Sequence, residues 1–265
     1  MGRIICVANQ KGGVGKTTTA INLAAALALA ERRVLAVDVD PQGNLTSGVG
    51  RKNMAAPAGT IYDALTTPDP TTDARPFIIG SGVDRLQLIP ADRNLTGAEI
   101  EMVTLPGREE RLRALLASLR HEFDDILIDC PPSLGLLTLN ALVASDAVLI
   151  PLHCEYFALE GLADLVSTMR RVRAALNPGL DIEGVLLTMI DERTNLGQQV
   201  ATDVRSFFKE KVFRTVIPRN VRLGEAPSHG LPVILYDAKS RGAKAYLALA
   251  REVMERRAAA AACSA

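Results

Sequence analysis

The chain has 265 residues, of which 48% are hydrophobic and 23% are charged. These proportions are ordinary for a globular protein with an apolar core, and glycine and proline are not in excess, so no long disordered arm is implied. Lysine and arginine together number 30, as do aspartate and glutamate, so the formal net charge is zero. Because the charges balance, an overall basic field is excluded, and any contact with nucleic acid must come from a local patch.

The charges are unevenly distributed along the chain. The segment from Arg193 to Lys244 holds ten basic and four acidic residues, and ten minus four gives +6, so the remainder carries −6. A basic segment in a neutral chain is a candidate surface for an anionic partner.

The cysteines and the N-terminal residues indicate the cellular compartment in which the protein is expected. None of the four cysteines forms a C-x-x-C pair, and we expect reduced thiols in a cytoplasmic protein. They are Cys6, Cys130, Cys154 and Cys263. The residues before the first glycine-rich motif are too few for a signal peptide, and no apolar stretch is long enough to span a membrane.

Short apolar runs alternate along the chain with helical patterns. Seven runs rich in Val, Ile and Leu predict buried strands: Ile4–Ala8, Val34–Val37, Leu86–Ile89, Ile126–Ile128, Val148–Leu152, Val185–Ile190 and Val233–Leu235. Five segments predict helices: Thr17–Glu31, Glu109–His121, Leu159–Leu176, Gln198–Lys211 and Ala243–Arg257. This alternation indicates an α/β fold with a doubly wound, mostly parallel sheet and helices on both faces.

Two segments interrupt this pattern. Thr66–Pro76 is rich in Pro, Thr and Asp, so it is predicted to be a surface loop. Residues 258–265 are rich in alanine and are predicted to be a frayed tail. We therefore expect a single domain over residues 1–257, followed by that tail.

A glycine-rich motif follows the first predicted strand and precedes the first helix. Its residues are Lys11, Gly12, Gly13, Val14, Gly15, Lys16, Thr17 and Thr18. In this context, backbone N–H groups and a helix N-terminus surround phosphate oxygens. Lys16 is predicted to reach the β- and γ-phosphates of a nucleotide, and the Thr17 hydroxyl to bind Mg²⁺.

This motif departs from the ordinary pattern G-x-x-x-x-G-K-[ST]. The first glycine of that pattern would fall at position 10, where this chain has Gln10. An additional lysine, Lys11, follows it.

Aspartates follow two other predicted strands. One strand leads into Asp38 and Asp40, and another ends at Asp129 before two prolines. In an open α/β sheet, ligands bind at the carboxyl ends of the strands. Carboxylates at that edge, beside a phosphate loop, can hold Mg²⁺ or position an attacking water.

Together these motifs resemble one family. Lys11–Thr18 is similar to the deviant Walker A loop of the ParA/MinD ATPases, and five further segments resemble the ParA/Soj branch of that family. They are Val37–Asn44, Ile128–Leu137, Cys154–Gly161, Ile217–Ser228 and Tyr236–Gly242. The resemblance runs from the first strand to about residue 257, without an N-terminal helix-turn-helix extension.

The resemblance implies ATP or ADP with Mg²⁺ as ligands, and it implies catalytic residues. Lys11 would cross a dimer interface to the partner subunit's phosphates, and Lys16 would bind phosphate within its own subunit. Asp40 would position or activate the attacking water. Asp38 would support the metal site, and Asp129 would act on Mg²⁺ through water.

The resemblance also implies the remaining contacts. Pro218 and Asn220 would line the adenine. Two ATP-bound subunits would form a homodimer that binds double-stranded DNA without sequence preference, through Arg193 and Arg222. Lys239 and Arg241 are further candidates for that surface.

The implied activity is slow ATP hydrolysis in chromosome or plasmid segregation. A centromere-binding protein of the ParB/Spo0J type would stimulate it. The implied location is the cytoplasm, at the nucleoid, with no membrane contact.

Three alternatives share the same loop. A cell-division ATPase of the MinD branch should end in an amphipathic membrane-binding helix, and residues 251–257 followed by alanines lack its large apolar face. An iron-protein electron donor of the nitrogenase type would need two cluster-ligating cysteines per subunit, and only Cys130 lies near the expected site. A nucleotide-gated scaffold without hydrolysis is disfavoured by the presence of Asp40.

Overall fold

The computed structural model describes residues 2–67, 73–154, 158–190 and 195–264. The strands are β1 (Arg3–Val7), β2 (Val34–Asp38), β3 (Ile79–Gly80), β4 (Leu86–Ile89), β5 (Asp125–Asp129), β6 (Ala147–His153) and β7 (Asp181–Thr188). The first six helices are α1 (Lys16–Leu29), α2 (Asn44–Gly48), α3 (Ile61–Thr66), α4 (Leu95–Glu101), α5 (Arg111–Ala117) and α6 (Leu136–Ala144). The remainder are α7 (Ala158–Ala175), α8 (Asn195–Phe208), α9 (Val221–Glu225), α10 (Val233–Tyr236) and α11 (Arg241–Ser264).

The strands form one sheet in the order β3-β4-β2-β5-β1-β6-β7. Every pairing is parallel except that of the short edge strand β3 with β4. Parallel neighbours require crossover connections, and helices supply most of them. The predicted fold class, a doubly wound and mostly parallel sheet, is confirmed.

The sheet is buried on both faces. Along β1, Ile4 and Cys6 belong to one hydrophobic core, whereas Ile5 and Val7 belong to the other. All four side chains are at most 1% exposed. This is why the central strands are continuously apolar in sequence instead of alternating with polar residues.

The register of the central strands brings three chain segments to one edge. Asp129 at the end of β5 is paired with Val7 of β1 and with Asp38 of β2. The segments that follow these strands therefore lie side by side at the carboxyl edge. The phosphate loop and the aspartates are predicted to lie at this edge.

One predicted strand is wrong. Val233–Leu235 lies within the short helix α10, where the Asp237 N–H donates to the Val233 carbonyl over 2.8 Å. Pro232 precedes this helix with φ −59° and ψ 148°. A short apolar run fits a buried strand and a buried helical turn equally well, and a proline is well tolerated at a helix start.

Other boundaries differ from the expectations. Helices α2, α3, α4, α6 and α9 and strand β3 were not predicted, because each is short or lacks a clear period. Helix α11 continues through the alanine-rich segment to Ser264, consistent with the high helix propensity of alanine. The extent of the domain and the fraying of the tail stay predictions. The middle of the predicted loop, residues 68–72, lies outside the described residues.

Three of the four cysteines agree with the expectation of reduced thiols, whereas the expected compartment stays a prediction. Cys6, Cys130 and Cys154 are buried free thiols, and the side chain of Cys263 lies outside the described part of the chain. Within residues 2–67, 73–154, 158–190 and 195–264, no helix has the length and apolar character needed to cross a bilayer.

Candidate nucleotide-binding site

The phosphate loop connects β1 to α1 and has the backbone that its glycines allow. Gly13 has φ +73° and Gly15 has φ +89°, in the left-handed region that side chains disfavour. Gly15 is the N-cap of α1, so the first-turn N–H groups of a buried 14-residue helix face the loop. A Cβ atom added at Gly12 or Gly13 would meet no atom within 4 Å, so the loop lies open on that side. This geometry suits a phosphate group.

Lys16 is buried at the end of the loop, although its side chain carries a charge. The residue is 6% exposed, and its Nζ donates a hydrogen bond of 3.0 Å to the Lys11 carbonyl. Burial lowers the pKa of the Lys16 ammonium, and the negative charge of Asp129 opposes that shift. The ammonium therefore lies between the loop backbone and the carboxylate edge, where a phosphate could replace the Lys11 carbonyl.

Two polar side chains outside the motif fix the loop to the sheet. The Thr188 hydroxyl, at the end of β7, donates to the Val14 carbonyl over 2.8 Å. The amide of Asn9 donates to the Pro151 carbonyl over 2.8 Å and accepts from the Lys11 N–H over 3.0 Å. The loop is therefore held by β6 and β7 before any ligand binds.

Asp129 is a buried carboxylate without a hydrogen-bond donor. It is 0% exposed, and neither oxygen has a partner among the described residues. Burial and the neighbouring charge of Asp38 raise the pKa of Asp129 well above its ordinary value. The Thr17 hydroxyl lies close to the Asp129 carboxylate and opposes part of this rise in pKa. Its geometry does not, however, make a hydrogen bond to either carboxylate oxygen.

A divalent cation fits this arrangement. Mg²⁺ in phosphate-binding sites takes few protein ligands and keeps several waters, which a nearby carboxylate can accept from. Asp129 offers two unsatisfied oxygens, and Thr17 is at the helix start beside it. The donor set therefore suits hydrated Mg²⁺ held against nucleotide phosphates.

Asp38 is fully engaged by the protein. Its Oδ2 accepts from the Thr46 N–H over 2.8 Å and from the Thr46 hydroxyl over 2.7 Å, and its Oδ1 accepts from the Asp40 N–H over 3.2 Å. Burial raises the pKa of Asp38 to about 6, and these hydrogen bonds oppose the rise. Asp38 thus supports the site indirectly, by fixing the chain around Asp40, and its metal role stays a prediction.

Asp40 is held in the same turn. It is 6% exposed, and its Oδ1 accepts from the Gln42 N–H over 2.9 Å. Its charge also opposes the lowered pKa of Lys16. The structure therefore places Asp40 with Lys16 and Asp129 at one edge.

The predicted adenine residues lie in the segment between the bridge to Ile190 and the start of α9. Pro218 forms a parallel bridge with Ile190, two residues beyond the Thr188 that holds Val14. Asn220 is the N-cap of α9, and its side chain accepts from the Arg222 N–H over 2.9 Å. The structure thus places Pro218 just beyond the end of β7 and Asn220 at the start of α9, and their contact with a base stays a prediction.

Three of the four predicted DNA residues lie on one surface around Asp237. Its carboxylate pairs with Arg222 Nε at 3.3 Å and accepts from the Lys239 N–H over 3.2 Å. Arg241 begins α11, beside Gly242, which packs closely on Leu223 of α9. Arg193 lies outside the described residues.

Cys130, the thiol expected near the site, is poorly suited to hold a metal cluster between subunits. Cys130 is 0% exposed, and a hydrogen bond with Cys6, together with burial, raises the pKa of its thiol well above the ordinary value. A buried, protonated thiol is a poor metal ligand.

Comparisons with known proteins agree with this geometry. Residues 2–182 match the model of a family described as AAA domain. The chromosome partitioning protein ParA of Myxococcus xanthus (strain DK1622) is 58% identical over 256 residues, which cover 97% of this chain and 89% of that protein. The sporulation initiation inhibitor protein Soj of Bacillus subtilis (strain 168) is 57% identical over 253 residues, which cover 96% of this chain and 98% of that protein.

A solved structure shares the whole fold. It is described as cobyrinic acid a,c-diamide synthase from Mycobacterium smegmatis with bound ADP and magnesium, and it is 37% identical with a TM-score of 0.80. The match covers 95% of this chain and 93% of that chain. The sequence identity, the shared fold and the deviant phosphate loop point the same way: this chain belongs to the ParA/Soj branch of the ParA/MinD family of P-loop ATPases.

Proposed function

We propose that this protein is an ATP hydrolase whose nucleotide state controls binding to DNA, and that it acts in chromosome or plasmid segregation. The observation that carries the proposal is the convergence of Lys16, Asp40 and Asp129 at one edge of the sheet. Family membership supports the partitioning role, since the relatives named above are partitioning and sporulation proteins. The proposed ligands are ATP or ADP with Mg²⁺.

In the proposed chemistry the protein forms no covalent bond with the nucleotide. It positions the phosphates and the attacking water, and it stabilises the negative charge of the phosphates. Lys16 would bind the β- and γ-phosphate oxygens, with the Gly15-capped helix N-terminus behind them. Bound Mg²⁺ would neutralise charge that develops on the phosphates. Asp129 and Thr17 would hold that ion in place, and Asp40 would orient the attacking water.

Lys11 is the residue that makes the site depend on a second subunit. Lys16 occupies the position that serves phosphate within its own chain, and we assign Lys11, the additional lysine of the deviant loop, to the partner's nucleotide. The proposed active species is therefore a homodimer with two ATP molecules between the subunits.

The proposed DNA surface contains Arg222, Lys239 and Arg241. Lys239 and Arg241 are exposed, and the Arg222 side chain is 51% exposed. Contacts with the phosphate backbone need positive charge but no base-reading motif, so binding would ignore sequence. A ParB/Spo0J-type protein is the proposed activator, and the nucleoid is the proposed location.

The test is fluorescence anisotropy on two unrelated DNA duplexes with a nonhydrolysable ATP analogue, with ADP and without nucleotide. We expect tight binding to both duplexes with the analogue and at least tenfold weaker binding in the other two states. Lys16→Ala serves as the matched control, because it should lose nucleotide binding and the switch together. Equal DNA affinity in all three states would refute the proposal.

A further inference from the structure

The side chain of Asn22 joins two parts of the molecule that are far apart in sequence. Asn22 lies on α1 and is 2% exposed. Its Nδ2 donates to the Thr18 carbonyl over 2.7 Å, and its Oδ1 accepts from the Val233 N–H over 2.7 Å. One amide group therefore bridges the phosphate-loop helix and the first residue of α10.

The α10 end of this bridge leads to the proposed DNA surface. Helix α10 is four residues long and ends at Tyr236. The next residue, Asp237, pairs with Arg222 at 3.3 Å, and the Tyr236 hydroxyl donates to Glu225 over 3.4 Å. Glu225 pairs with Arg222 at 2.7 Å. Arg222 is thus paired with Asp237, which directly follows α10, and with Glu225 of its own helix, which contacts Tyr236 at the end of α10.

The α1 end of the bridge leads to the nucleotide. Thr18 belongs to the phosphate loop and lies in the first turn of α1. Because Asn22 is buried and makes both bonds at once, it cannot shift without breaking one of them. A buried backbone N–H left without a partner is costly, so Val233 has a strong preference for this acceptor.

We propose that Asn22 is a positioning residue that sets the placement of Arg222 relative to the phosphate loop, and that DNA affinity of the ATP-bound dimer depends on its amide. This inference rests on the proposed function, because it gives Asn22 a role in DNA binding although Asn22 is not among the proposed nucleotide or DNA contacts.

Two variants break the same hydrogen bond from opposite sides. Asn22→Leu removes the acceptor and keeps a similar volume. Val233→Pro removes the donor, and proline is compatible with the first position of a helix that follows the extended backbone of Pro232. The matched control is Tyr246→Phe, which removes the neighbouring bond of 3.2 Å between Thr19 of α1 and Tyr246 of α11.

Each protein is measured as a full-length dimer with a nonhydrolysable ATP analogue. We expect both Asn22→Leu and Val233→Pro to weaken binding to a DNA duplex by about fivefold or more, within the usual range for coupling between sites. Affinity for the analogue and dimerisation should remain within about twofold of the wild type, while Tyr246→Phe should bind DNA normally. An unchanged DNA affinity in the two variants, or an equal loss in Tyr246→Phe, would overturn the inference.

Hydrogen exchange of the backbone amides of residues 234–237 provides a readout that does not involve DNA. We expect exchange there to quicken in Asn22→Leu and to stay slow in Tyr246→Phe. Unchanged exchange in Asn22→Leu would refute the positioning role even where the nucleotide switch works. If exchange is faster in Asn22→Leu but the wild-type protein binds DNA in no nucleotide state, the proposed function is refuted, whereas the role of Asn22 in placing α10 is retained.

Discussion

At the scale of single residues, the turn from Asp38 to Gln42 is ordered by its own hydrogen bonds. The Asp40 N–H donates to Asp38, and its carboxylate accepts from the Gln42 N–H. Its orientation therefore depends little on the ligand, which is a property expected of a group that positions water.

Replacing Asp40 tests that role. We expect Asp40→Ala to bind ATP and to accumulate as a dimer, because Lys16 and Lys11 remain, while turnover falls by a factor of about 10² to 10⁴. Phosphate release and light scattering measure the two effects. Asp73→Ala serves as the control, because Asp73 is half-exposed and pairs only with Arg75 among the described residues. Turnover close to that of the wild type would show that Asp40 does not act on the water.

Sequence reasoning found the residues of the site that belong to local motifs, and missed those that act across the fold. Lys16 and Asp129 could be found because a loop motif and a strand end are visible in a few consecutive letters. Thr188 and Asn22 contact partners 174 and 211 positions away, so no short pattern marks them. Thr46 lies only eight positions from Asp38, but in a five-residue helix with no distinct sequence period.

At the scale of elements, the segment that carries Asn220 and Arg222 is held against the chain that follows Asp40. The two backbones cross at Gly50 and Gly230, where a Cβ added to Gly230 would lie 2.7 Å from the Gly50 Cα atom. Gly230 also has φ +66°, which disfavours any side chain. This crossing was invisible in the sequence, since neither glycine belongs to a recognised motif.

The crossing predicts a sensitive position. We expect Gly230→Ala to lower the free energy of unfolding by about 1–3 kcal/mol, because it adds both backbone strain and a close contact. Urea denaturation measures the change. Gly179→Ala is the matched control: it lacks a positive φ, and its nearest neighbour would lie 3.7 Å away, so its effect should be small. Equal stability of the two variants would mean that the backbones separate at little cost.

At the scale of the whole molecule, the balance of 30 basic and 30 acidic residues makes the distribution of charge decisive. A neutral monomer should bind DNA weakly, whereas a dimer presents two copies of the basic segment. Arg222 is partly neutralised by Glu225 and Asp237, so a DNA phosphate must compete with both carboxylates. Its hydrogen bond to Glu225 raises the pKa of Arg222. Arginine is charged at physiological pH in any case, so the positive charge of this surface does not vary with pH there.

The salt dependence of DNA binding tests this surface. Each neutralised phosphate contributes about 0.9 to the slope of log affinity against log salt concentration. We expect Arg222→Ala to weaken binding of the ATP-analogue dimer and to reduce the slope by about 0.9 per subunit, with nucleotide affinity unchanged. Anisotropy across a salt series measures both quantities. Arg171→Ala, an exposed arginine outside residues 193–244, should leave the slope unchanged. If Arg222→Ala also leaves the slope unchanged, the DNA surface does not include Arg222 and must lie elsewhere on the protein.

The central position of β1 has a consequence for how the protein is made. Of the seven strands described, β1 is synthesised first, yet its partners are β5 and β6, which begin more than 120 residues later. Pairings so distant in sequence form slowly and leave strand edges open in an incomplete chain. A nascent chain that extends past the phosphate loop but ends before Asp129 lacks the carboxylate that completes the edge of the site. The nucleotide can therefore stabilise only a chain that extends past Asp129, and its binding energy favours folding of that longer chain over any earlier intermediate.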